Sequence, residues 1–202
     1  MELPFVTAIM PTADRREFAL DAISMFLEQD YPLKELVIVD DGRAPLNPPP
    51  HELIRYEHSP IKRNIGKKRN MACGRASGDV IIHWDDDDIY APDRISDQVE
   101  RLLDHAGLEM TGYSSMLFVK PDGTEHLFRM PNDRHAIGVS FCYWKHIWRA
   151  RPFPDCNTGE DLMFWSGRKC ISVDAERRIV ARIHAGNTSF KDTSVEGWEK
   201  VA

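Results

Sequence analysis

Carboxylates are the residues best able to do chemistry in this chain, and they arrive in clusters. Asp85, Asp86, Asp87 and Asp88 follow directly after the apolar run Val80-Ile81-Ile82-His83-Trp84. Asp40 and Asp41 close a second run, Leu36-Val37-Ile38-Val39, and Glu160 with Asp161 form a third acidic group. Like charges at this spacing raise one another's pKa and cost stability. A hard divalent cation prefers oxygen ligands and would supply the countercharge; Mg²⁺ or Mn²⁺ reaches such carboxylates together with substrate phosphates. The plainer use of an acidic run is a solvated turn or a helix start, where acids favour the helix dipole, and a short acidic motif alone is weak. The strand context and the second aspartate pair weigh toward function.

The elements that must position these acids alternate in type. Phe5 to Met10 reads as a buried strand closed by Pro11-Thr12. Asp14 to Glu28 has apolar residues at helical spacing (Phe18, Ala22, Met25, Phe26), with Asp14 as the expected N-cap. Leu36–Val39 is a second strand, Asn47 to Pro50 must be loop, and Leu53–Glu57 is a third strand. Gly66 to Ala76 has helical composition, and Val80–Trp84 is the strand that delivers the four aspartates. Pro92 opens a helix to about His105, with Ile95, Val99, Leu102 and Leu103 on one face. Repeated strand-then-helix units imply a mostly parallel sheet covered by helices on both faces.

The second half changes character. Met110 to Met130 reads as a hairpin around Pro121-Asp122-Gly123. Thr158-Gly159-Glu160-Asp161 reads as a helix start with a capping box, and Ile179–Ile183 as a late strand. One α/β domain over 1–202 is expected, its first half running to about 107 and its second carrying a small antiparallel part. In open parallel sheets ligands bind at the carboxyl ends of the strands. Pro11-Thr12, Asp40-Asp41-Gly42 and Asp85–Asp88 all fall at such ends.

Composition narrows the classes. The chain has 202 residues, 42% hydrophobic and 29% charged, as an ordinary globular domain does. A net charge of −6 argues against a nucleic-acid binder held by phosphate contacts and against a polybasic membrane anchor. No apolar run is long enough to span a bilayer, and the N-terminus has no signal-peptide pattern. Four widely spaced cysteines, with no CxxC pair, read as free thiols in a reducing compartment.

Six segments in order resemble the GT-A fold of family 2 glycosyltransferases, inverting enzymes that use nucleotide-diphosphate sugars. They are Val6 to Thr12, Leu36 to Gly42, the G-x-x-R-N of Gly66 to Asn70, the A-x-G-D of Ala76 to Asp79, Asp85 to Tyr90 with Pro92, and Gly159-Glu160-Asp161. Each is weak alone; their order is specific.

The resemblance implies roles, with a nucleotide-binding half over about 1–107 and an acceptor and catalytic half over about 108–202 of a single GT-A domain. Pro11 and Thr12 would line the nucleotide site, Asp40 would accept a hydrogen bond from the base, and Asp41 is a second nucleoside contact. Arg69 would meet the nucleotide or its phosphates. Asp85 or Asp86 would contact the ribose and Asp87 would bind Mn²⁺ or Mg²⁺; four aspartates in a row leave this register open by one residue. Asp161 would be the catalytic base, with Glu160 orienting donor or acceptor. His184, in Arg182 to Ser189, resembles a histidine that completes metal coordination in some of these enzymes. UDP-sugar is the expected donor, and a saccharide, lipid-linked or other hydroxyl the expected acceptor. Little chain follows Ser189, so a small acceptor or a partner subunit is expected. The location expected is cytoplasmic, at most peripheral to a membrane. A sugar-phosphate nucleotidyltransferase is the rival enzyme, disfavoured because Pro11-Thr12-Ala13-Asp14 lacks glycine. A non-catalytic nucleotide-sugar module is the rival binder, and it would have no need of Asp161.

Overall fold

The computed structural model describes residues 2–131, 135–187 and 191–201. The first half runs β1 (Val6–Thr12), α1 (Arg16–Leu27), β2 (Lys34–Asp40), β3 (Ile54–His58), α2 (Ile65–Arg75), β4 (Val80–His83), β5 (Asp88–Tyr90) and α3 (Arg94–Asp104). The second half runs β6 (Met110–Val119), β7 (Glu125–Arg129), β8 (Cys142–Trp144), α4 (Lys145–Ala150), α5 (Glu160–Trp165), β9 (Cys170–Asp174), β10 (Ile179–Arg182) and β11 (Trp198–Lys200). A 3₁₀ turn, Gly138–Ser140, precedes β8.

Apolar residues on both faces of the parallel strands drive this arrangement. Ala8 and Met10 of β1, Leu36 and Ile38 of β2, and Val80 and Ile82 of β4 pack with Ala19, Phe26 and Ile95 of α1 and α3. The alternate residues Ile9, Val37, Val39 and Ile81 pack with Ala72 and Cys73 of α2 and with Phe153 and Phe164 of the second half. A period-two pattern that is apolar on both sides is what a helix-covered parallel sheet requires.

Strands β3, β2, β1 and β4 lie side by side and parallel. β2 lies on one side of β1 and β4 on the other, so the strand order reverses at β1 and opens a crevice beyond its carboxyl end. Beyond β4 the sheet turns antiparallel through β8 and β6, and β6 forms the expected hairpin with β7. β6 also pairs in parallel with β9 and β10, and β10 pairs antiparallel with β5. β5, α4, β8, β9 and β11 were not expected from the sequence. Three of the five are three residues long, too short to carry a periodic pattern.

Two expected caps take another form. Asp14 is not the N-cap of α1: that position is Arg15, while Asp14 lies in the left-handed region (φ 55°) and accepts a hydrogen bond from Arg43 N. Asp14 thus ties the β1–α1 turn to the loop after β2. Thr158 does not form a capping box; Gly159 holds the N-cap of α5 at φ 75°, a conformation that glycine adopts freely. Of the segment Arg182–Ser189, Thr188 and Ser189 lie outside the described residues.

Candidate active site

The acidic run is a turn joining β4 to β5, and aromatic packing fixes it. Trp84, fully buried, stacks on Tyr90 at 3.8 Å between ring centres and donates its indole N–H to Ala22 O. Tyr90 donates its hydroxyl to Asp85 O. Arg94, also fully buried, reaches from α3 to the carbonyls of His83 and Val139, so the end of β4 and the 3₁₀ turn share one strut.

The four aspartates have four different environments, which is how the chain tolerates them together. Asp85 faces Arg69, Oδ1 to Nη2 at 3.7 Å; burial raises its pKa against the pull of that guanidinium. Asp86 accepts from the Thr12 hydroxyl at 2.5 Å and pairs with Arg15 at 2.5 Å; burial still pushes it up to about 7. Asp87 Oδ2 faces three nitrogens: Arg15 Nη1 at 2.5 Å, His184 Nε2 at 3.0 Å and Asn187 Nδ2 at 3.2 Å. Asp88 starts β5 and is buried; burial and then the neighbouring Asp87 hold its carboxyl well above the usual range, which favours the neutral acid.

The pair at the end of β2 is buried as well. Asp40 accepts from Gly42 N, Leu46 N and the Tyr56 hydroxyl, so its carboxylate shapes the 42–46 loop. Asp41 pairs with Lys68 of α2 at 3.0 Å and accepts from Arg63 N. Lys68 also reaches Thr12 O, which joins the ends of β1 and β2 to α2.

Glu160 and Asp161 open α5 and diverge. Glu160 is 5% exposed and forms a buried ion pair with Arg69; burial raises its pKa against that partner. Arg69 therefore braces α2 against α5 and against Asp85, and its Nε is buried without a partner. Asp161 lies over Gly138, where a Cβ would overlap its carboxylate, and its Oδ1 accepts from Leu162 N. Behind them His83 is fully buried: its Nδ1 donates to Gly138 O at 2.7 Å and its Nε2 faces the Tyr143 hydroxyl. Burial, then Arg69, holds this imidazole well below its usual pKa, so it is neutral.

The acidic turn, Arg69 and the start of α5 line one crevice of about 250 Å³. Of the expected residues, Pro11, Arg69, Asp85, Asp86, Asp87, Glu160 and Asp161 border it. Thr12 and Asp40 line an adjoining hollow at the ends of β1 and β2, and Arg15 borders both. Asp41 is covered by Lys68, and His184 lies behind Asp87 and Asn187, which border the crevice. Reading the sequence did not single out Arg15 or Gly138. The available signals were an arginine three residues past the strand-ending Thr12, and a glycine between two apolar residues.

Among the described residues no three His, Cys, Asp or Glu side chains converge as a complete cage for a metal. Asp87 and His184 nevertheless supply an adjacent carboxylate oxygen and imidazole nitrogen beside the crevice. A cation that arrives with phosphates needs only one or two protein ligands, so this donor set fits Mn²⁺ or Mg²⁺.

Comparison with known proteins places the chain in a family. Escherichia coli WcaA, assigned by name to colanic acid biosynthesis as a glycosyl transferase, is 34% identical over 177 residues, covering 76% of this chain and 60% of WcaA. Rhizobium meliloti ExoO, a succinoglycan biosynthesis protein, is 31% identical over 114 residues, 54% of this chain and 32% of ExoO. The chain spans less than two thirds of the length of these curated relatives. The fold matches S. aureus TarS 1-349 in complex with UDP (TM-score 0.69, 16% identity, 89% of this chain and 60% of that one). It also matches a Pyrobaculum calidifontis mannosyltransferase in complex with GDP-Man and Mn²⁺ (TM-score 0.66, 16% identity, 91% of this chain and 57% of that one). Residues 7–115 match the family described as Glycosyl transferase family 2. That match takes in β1 through the middle of β6, and with it the acidic turn: the chain belongs to glycosyl transferase family 2.

Proposed function

We propose that this chain carries an inverting, metal-dependent transfer of a sugar from a nucleotide-diphosphate sugar, UDP-sugar first among candidates, to an acceptor hydroxyl. The observation that carries this reading is the division of labour at the start of α5. Glu160 is turned back onto Arg69, which leaves Asp161 beside the crevice that the acidic turn borders from the other side. A module that only bound nucleotide-sugars would have no use for a carboxylate braced in this way.

The nucleoside lies in the hollow beside Thr12 and Asp40, with Asp40 acting chiefly by shaping the 42–46 loop. Asp85 rather than Asp86 meets the ribose, because the Thr12 hydroxyl already holds Asp86. Asp87 and His184 would hold Mn²⁺ or Mg²⁺, whose charge when bound offsets that of the departing diphosphate. Asp161 takes the proton of the acceptor hydroxyl as that oxygen bonds to the anomeric carbon. The bond from that carbon to the diphosphate oxygen breaks on the opposite face, its electron pair leaves with the diphosphate, and the configuration inverts. Arg69 and Glu160 fix the height of α5 above the acidic turn, a positional demand that such displacements make.

The test is turnover of a panel of UDP- and GDP-sugars, followed by nucleotide release, in the wild type and Asp161→Asn. Loss of a general base predicts a fall of about a hundredfold to ten-thousandfold in kcat, with UDP affinity unchanged by calorimetry. Equal turnover in the two proteins would remove Asp161 from the mechanism.

A further inference from the structure

Arg15 stands where the acidic turn most needs positive charge. Its guanidinium spans two carboxylates, with Nη1 on Asp87 Oδ2 at 2.5 Å and Nη2 on Asp86 Oδ1 at 2.5 Å. The same Asp87 oxygen faces His184 and Asn187. The imidazole is closed to a metal by its own hydrogen bonds. Gly186 N donates to His184 Nδ1 at 3.1 Å, so the proton of the neutral ring sits on Nε2 and points at Asp87. In this arrangement the two groups best suited to ligate a cation are both occupied, one by a cation of the protein's own. A guanidinium and a divalent ion on one carboxylate oxygen repel each other, so the two occupancies exclude one another.

The side chain that blocks the site is also placed to leave it. Arg15 precedes α1 and its side chain is 21% exposed; beyond the Nη contacts, its Nε donates to Asp86 Oδ2 at 3.2 Å and Nη1 makes a long contact, 3.4 Å, to Gly186 O, so Asp87 is held by one prong and Asp86 by two. It is the residue shared by the nucleoside hollow and the acidic crevice. A nucleoside diphosphate lying from one to the other must pass it, and a released guanidinium would find phosphate oxygens as its next partner.

We propose that Arg15 is an exchangeable counter-ion: it closes Asp87 in the ligand-free protein and yields that carboxylate to a divalent cation when a nucleotide diphosphate arrives to accept the guanidinium. The inference rests on the assignment of Asp87 to the cation and adds to it a reason for cation and nucleotide to bind together. His184 must in the same step move its proton to Nδ1 and give up the Gly186 bond.

The experiment is titration of Mn²⁺ alone, read by the electron paramagnetic resonance of the free ion, on wild type, Arg15→Gln, Arg15→Lys and Asp87→Asn, each repeated with saturating UDP. Removing a charge-assisted competitor should make Arg15→Gln bind Mn²⁺ without nucleotide about tenfold or more tighter than wild type. Arg15→Lys, a point charge without the two-pronged contact, should fall between. UDP should strengthen Mn²⁺ binding more in wild type than in Arg15→Gln. Equal or weaker Mn²⁺ affinity in Arg15→Gln, with Asp87→Asn still abolishing wild-type binding, overturns the exchange and leaves the cation site standing. Absence of Mn²⁺ binding in all four proteins, with and without UDP, overturns both.

Discussion

Replacing Arg69 by methionine should cost far more than removing a surface charge, and the structure says how much. The Arg69 side chain is 6% exposed and that of its partner Glu160 7%, and the same guanidinium faces Asp85. Methionine keeps much of the length and apolar contact but leaves two carboxylates facing each other with no cation between them. Removing one partner of a buried pair costs about 3–5 kcal/mol. Glu160 can relieve part of that by taking up a proton, since burial already raises its pKa, so about 3 kcal/mol is expected at neutral pH. Neutralising the stranded acid as well, in Arg69→Met/Glu160→Gln, should recover about 1–2 kcal/mol relative to Arg69→Met alone. The unpaired Glu160 of Arg69→Met binds a proton more tightly folded than unfolded, so the deficit should shrink as pH falls. Urea unfolding followed by far-UV circular dichroism measures all of this, through midpoints at unchanged slope. A loss below about 1 kcal/mol for Arg69→Met, the worth of an exposed pair, would refute the reasoning. Strict additivity in the double variant would refute it too.

Gly138→Ala should lower kcat about a hundredfold while leaving UDP affinity intact, because the added Cβ displaces the Asp161 carboxylate; unchanged kcat would show that Asp161 does not depend on that floor. Buried His83 should make stability fall in mild acid. Its folded pKa lies well below 6.5, so the unfolded chain binds the extra proton and stability is lost as pH falls below about 6.5, at up to about 1.4 kcal/mol per pH unit. His83→Gln should flatten that slope in urea titrations at several pH values; an unchanged slope would mean that other groups set it.

Much of this was legible in the sequence because the parallel half obeys simple periodicities. Leu36–Val39 and Val80–Ile82 are apolar at every position, the first followed at once by aspartates and the second after His83 and Trp84; that pattern marks a buried strand and the acidic carboxyl end it leads to. The antiparallel half was less legible. β8 is three residues long and β9 is half-exposed, and both owe their state to pairing with β6, a tertiary effect. The candidate residues were read by type, but their partners were not. No sequence rule says that Arg69 turns to Glu160, 91 residues away, or that Asp40 is consumed by its own loop. Arg15 escaped because a helix-start arginine is ordinarily solvated, and only the fold brings Asp86 and Asp87 across to it.

The central claim is that the acidic turn is a diphosphate and metal site. Calorimetric titration of UDP, with and without Mn²⁺, on the wild type and Asp87→Ala tests it most directly. The account predicts that Mn²⁺ strengthens UDP binding to the wild type and that Asp87→Ala removes this dependence while weak, metal-independent binding persists. Equal UDP affinity with and without Mn²⁺ in the wild type, or a metal dependence that survives in Asp87→Ala, would contradict it.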